Sequence, residues 1–82
     1  MSEEIEASNK VKLAASMIVE GKTLGYLYES QWKDASYELT FIIDALGDYR
    51  VHSKKWDEYV ARLDDLVEKL KQVKAKAEGR ES

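Results

Sequence analysis

Gly21-Lys22-Thr23 ends the way a phosphate-binding loop ends, with a glycine, a lysine and a hydroxyl residue able to cradle phosphate oxygens. The glycine that opens such a loop would stand at position 16, which is Ser16. The segment therefore reads as a turn. His52 is the single histidine, and Asp44 and Asp48 precede it closely. Together they could hold a cation or move a proton. One imidazole on a solvated element is more ordinarily a surface residue. Asp57 with Glu58 and Asp64 with Asp65 offer adjacent carboxylates for acid–base work. Glu58 to Arg62 and Asp65 to Lys69, however, have the i,i+4 spacing found on the wet side of a helix. None of these sets names a reaction. The chain is expected to be non-enzymatic and to need no cofactor and no metal.

A second group of residues suggests binding. Trp32 sits in the polar stretch 31–36 beside Lys33, where an indole needs a reason. Lys12, Arg50 and Lys54 supply further positive charge. Dispersed bases around a stacking aromatic are what single-stranded nucleic acid requires. The charge balance is less favourable. Thirteen basic residues against 16 acidic ones leave a net charge of −3, which argues against indiscriminate polyanion binding. The acid gathers in residues 1–20 and 56–82, while residues 21–55 balance five bases against five acids.

Other features bound the class. Eighty-two residues make one small domain, of a size often completed by a second copy. No apolar run is long enough for a membrane span. The acidic start Ser2-Glu3-Glu4-Ile5-Glu6 does not resemble a secretory signal. The absence of cysteine excludes disulfides and suits a reducing, cytoplasmic setting. The absence of proline fits uninterrupted elements.

The elements that would position these residues divide by period. Trp56, Leu63, Leu70 and Ala77 recur every seven residues with Tyr59, Leu66 and Val73 between them, which predicts one long amphipathic helix from about 54 to 78. Ser53 suits its N-cap. Upstream, Val11, Leu13, Ala15, Met17 and Val19 alternate as in a strand. The alternation resumes with Leu24, Tyr26 and Tyr28 after a turn at Gly21. Tyr37, Leu39, Phe41 and Ile43 form a third alternating run. An Ala45-Leu46-Gly47 loop then places Ile43 opposite Tyr49 and Phe41 opposite Val51. The expectation is an α+β domain over residues 10–82, a four-stranded antiparallel meander followed by one helix, after a flexible acidic tail at 1–9. The alternative is an all-α bundle, because Leu39, Ile42, Ile43 and Leu46 also satisfy helical spacing.

In the meander, Phe41, Leu39 and Val51 lie beneath Trp56, Tyr59 and Leu63. The other sheet face carries Lys12, Thr23, Gln31, Thr40, Arg50, His52 and Lys54 around Ala14, Ile18, Leu27 and Ile42. The long helix overhangs this sheet, which makes Leu70 and Val73 candidates for a homodimer interface.

The stretch Tyr49-Arg50-Val51-His52-Ser53-Lys54-Lys55-Trp56, followed by Tyr59, Leu63 and Leu66, resembles the strand-to-helix junction of the positive cofactor four-like single-stranded-DNA-binding coactivators. That resemblance implies a homodimer joined through its helices, with single-stranded DNA on the sheet. Lys12, Lys33, Arg50 and Lys54 would contact phosphates and Trp32 would stack. The acidic residues Glu38, Asp44 and Asp48 depart from the family's basic middle segment. The competing expectation is a protein-binding inhibitor or adaptor, such as a phage or plasmid protein that occludes a host enzyme. Salt dependence separates the two, because phosphate contacts weaken steeply with salt and apolar contacts do not.

Overall fold

A computed structural model describes the backbone of residues 2–79 and the side chains of residues 4–48 and 55–79. Three helices account for nearly all of it: α1 (Ser2–Leu24), α2 (Glu29–Gly47) and α3 (Tyr49–Ala77). There is no strand among the described residues. The α+β meander expected from the alternating runs is thus replaced by the all-α bundle. The antiparallel sheet, its hairpins and its open face are absent among the described residues.

The reason lies in which residues each period buries. On a helix, Ala7, Ala14, Met17, Ile18 and Gly21 fall on one stripe at spacings near seven and three or four. Ala14 is fully buried, and Met17 and Ile18 nearly so. The alternating set is satisfied only at Met17 and, in part, Val11. Leu13 and Val19 are 42% and 63% exposed. The same inversion occurs in α2, where Leu39 and Ile42 enter the core while Tyr37, Phe41 and Ile43 stay at the surface. All four apolar residues assigned to the centre of the sheet's open face, Ala14, Ile18, Leu27 and Ile42, belong to the bundle's core. A stretch rich in Glu, Ala, Lys and Leu, with no proline, carries that stripe as a helix at little intrinsic cost.

The turn residues also act differently from expectation. Gly21 does not open a hairpin. It lies inside α1, buried, where an added Cβ would overlap the Leu27 side chain. The carbonyl of Gly21 accepts from the N–H groups of Gly25 at 3.0 Å and Leu27 at 3.2 Å. Gly25, with φ of 84°, takes the left-handed conformation that stops α1. At the start of α2 the Gln31 side chain reaches back to accept the Tyr28 N–H at 2.7 Å, satisfying a donor the helix leaves open. Gly47 ends α2 without a positive φ, and Asp48 alone joins it to α3, donating its N–H to the Ala45 carbonyl at 3.2 Å.

Cross-links fix the topology. Lys10 pairs with Asp64 and Glu20 with Lys74, so α1 and α3 run parallel. Phe41 meets Tyr59 and Glu38 meets Arg62, so α2 and α3 run antiparallel. The bundle is up-down-up, and each helix packs on both others. Leu63, Leu66, Val67 and Leu70 give α3's buried stripe. The heptad seam read from the sequence is this stripe, but α3 begins at Tyr49 rather than near Lys54, so residues 49–56 are helix throughout instead of a strand-to-helix junction. Residues 2–9, expected as a tail, are the first turns of α1, and Ala7 is buried. No helix among the described residues is long and apolar enough to cross a membrane.

Candidate functional site

The α2–α3 face carries the most distinctive constellation of side chains. Arg62 lies under α2 and forks onto Glu38, its Nη2 donating to Oε1 at 2.7 Å and its Nε to Oε2 at 3.1 Å. Such a planar two-bond pair holds both side chains in one geometry. The same guanidinium stacks 4.7 Å from the Phe41 ring centroid and 5.8 Å from that of Tyr59. The two rings meet edge-to-face at 5.7 Å and 74°. Glu38 raises the Arg62 pKa chiefly through its hydrogen bonds; burial opposes this, and the charge of Glu38 adds to it more weakly. Phe41 remains 46% exposed and Tyr37, one turn away on α2, 74% exposed. Phe41 and Tyr37 therefore form an apolar knob anchored by an arginine.

Beyond the Glu38–Arg62 clasp the same face becomes concave. A groove of about 520 Å³ runs between α2 and α3, floored by Leu27, Ala35, Leu66, Leu70 and Val73. Ala35 opens it, because its methyl group leaves space where a longer side chain would bridge the helices. Val73 is half-buried at the core's edge. The two cross-links set the register, so Asp34 lies level with Leu66 and Gln31 with Lys69. Asp34 and Asp65 flank the groove next to the clasp, Lys69 flanks its middle and Lys76 its far end. These four charges carry no ion pair among the described residues.

A second, shallower cleft of about 420 Å³ lies between α1 and α3. Glu20 bridges it, accepting from the Tyr26 hydroxyl at 3.0 Å and pairing with Lys74 at 2.8 Å. Lys74 and then Tyr26 hold the Glu20 carboxyl below its ordinary range, while Glu20 raises Lys74. Burial first, and the Glu20 hydrogen bond second, push Tyr26 upward.

The residues expected to bind nucleic acid are not assembled on a sheet. Lys12 is exposed on α1 and Lys33 on α2, where it pairs with Glu29 at 2.6 Å. Trp32 is not a loop residue. It lies in α2, half-buried against the core, with the Lys22 ammonium 4.2 Å and that of Lys33 5.8 Å from its ring. Arg50 and Lys54 fall in α3, but their side chains lie outside the described residues, as does that of His52. Leu70, assigned to a dimer interface, is 4% exposed within its own chain, and Val73 packs beside it on the groove floor.

A period-two pattern in the α2 sequence conceals the α2–α3 face. On a helix Asp34, Glu38 and Phe41 stand at i, i+4 and i+7, which is one face. Glu58 and Arg62 were expected to pair along α3, but Arg62 pairs across to α2.

No protein-family model matches this chain, and no curated protein or solved structure matches it.

Proposed function

We propose that this chain is a non-enzymatic protein-binding module, an inhibitor or adaptor that engages another protein through its α2–α3 face. The observation that carries this reading is the continuity of that face. An exposed Phe41, held by Arg62 of the Arg62–Glu38 clasp with Tyr37 exposed one turn away, lies next to an open groove with an apolar floor. Tyrosine and arginine held in place beside apolar surface are the residue types that dominate binding energy at protein interfaces. A groove between two antiparallel helices accepts a third helix by the packing rules that built the bundle. The net charge of −3 supports a protein partner over a polyanion.

The test is selection from a displayed library of helical peptides, counter-selected on a Phe41→Ser, Val73→Ser variant whose helicity matches the parent. Enriched helices that bind the parent and lose the variant support the reading. Enrichment indifferent to the variant overturns it. So does salt-sensitive binding of a single-stranded oligonucleotide at about 50 mM salt.

A further inference from the structure

The groove is electrically polar along its length. Asp34 and Asp65 stand beside the clasp, Lys69 midway along the groove and Lys76 at its far end, all without ion pairs of their own among the described residues. From Arg62 to Lys76 the groove measures about 21 Å at 1.5 Å per residue, the length of a helix of about 14 residues. We propose, resting on the protein-binding reading above, that the occupant is an amphipathic helix of a partner protein with acidic residues in its N-terminal turn and basic residues in its C-terminal turn. It docks antiparallel to α3. Its acidic N-terminal turn meets Lys76, its middle passes Lys69, and its basic end meets Asp34 and Asp65.

Two independent effects select this direction. The first is charge complementarity, since the opposite direction sets the acidic turn against Asp34 and Asp65 and the basic turn against Lys76. The second belongs to the partner helix. Acid at the N-terminus and base at the C-terminus complement its macrodipole, so the helix that fits the groove's charges is also one that does not fray. A helix with the reversed charge order would match the groove only when docked the other way, and it would carry the wrong charge at both of its own ends. The apolar stripe of the occupant, at i, i+3 or i+4, and i+7, covers Val73 and the exposed edges of Leu66 and Leu70.

The probes are two synthetic peptides of about 14 residues sharing one leucine stripe, one with Glu in its first turn and Lys in its last, the other with these exchanged. Each carries a nitroxide at its N-terminus and is titrated into the isotope-labelled full chain. The Glu-first peptide is expected to bind about tenfold tighter at low salt, and its label to broaden Val73 and Ala75 rather than Phe41 and Tyr59. A protein carrying Asp34→Lys, Asp65→Lys, Lys69→Glu and Lys76→Glu should invert the preference. Equal binding of both peptides in the groove, or broadening at Phe41 and Tyr59 by the Glu-first peptide, overturns the stated chemistry and direction while leaving the site intact. If neither peptide shifts any groove residue of the wild-type chain, the protein-binding reading itself fails.

Discussion

Phe41 and Ile42 are neighbours in sequence, and the fold decides which of them matters. In the three-helix bundle Ile42 is fully buried between α1 and α3, whereas Phe41 is 46% exposed on the rim. An alternating strand would have reversed these roles. Truncating Ile42 to Ala removes methylenes from a site with no access to solvent and should cost about 3 kcal/mol, within the range for buried aliphatic truncations. A domain of 82 residues has about 4–12 kcal/mol of total stability. The melting temperature should then fall by about 12–24 °C. Phe41→Ala loses only its half-buried surface, about 1 kcal/mol. The edge contact with Tyr59 adds about 0.5–1 kcal/mol. Alanine's better helix propensity returns about 0.5 kcal/mol, leaving a net cost near 1–1.5 kcal/mol. Urea unfolding followed by far-ultraviolet circular dichroism measures both variants against the parent. The ordering is the decisive quantity, with Ile42→Ala the more damaging by at least about 1 kcal/mol. If Phe41→Ala proves costlier than Ile42→Ala, the face assignment of α2 is wrong and the groove argument falls with it.

Gly21→Ala should destabilise by about 1–3 kcal/mol although alanine favours helix, because its Cβ overlaps the buried Leu27 side chain; the same urea titration reads it. Gly25→Ala, with open space around it but φ of 84°, should cost about 1 kcal/mol through backbone strain alone. Trp32→Ala should lower stability by about 2 kcal/mol, since the indole is half-buried against the core, and a variant that melts with the parent would return Trp32 to the role of a free contact residue. Glu20→Gln tests the α1–α3 link by its pH dependence. The Glu20 carboxyl is held below its ordinary value of 4.5, so its contribution is present above that value and is lost as pH falls through the lowered one. Lys74 is raised above its ordinary 10.5, so its contribution is present below that value and lost as pH rises through the raised one. The gap in melting temperature between parent and variant should be flat near neutrality and close at both extremes. A gap that ignores pH below about 4.5 removes the ion pair from the account.

The sequence alone determined the second half of α3. Leu63, Leu66 and Leu70 repeat at a spacing that no strand can use, Val67 widens their stripe, and acidic and basic residues fill the other positions between, so a helix with one buried stripe is the sole element that fits. The sequence also carried the absence of any constellation that names a reaction. It could not decide α1 and α2. Val11 through Val19 and Leu39 through Leu46 hold more apolar residues than one face of either element can bury, so both periods find a matching subset. Only packing against α3 shows which subset is the core. Gly21 is the clearest case. Its local chemistry suits a turn, yet its lack of a side chain is used for the approach of Leu27, a contact that exists only once α1 and the α1–α2 connection have docked. The Glu38–Arg62 clasp joins residues 24 apart, and no local spacing rule reaches that far. The groove, its acidic and basic ends and the aromatic knob beside it arise from the antiparallel register of α2 and α3, which the tertiary structure sets and the period of neither helix contains.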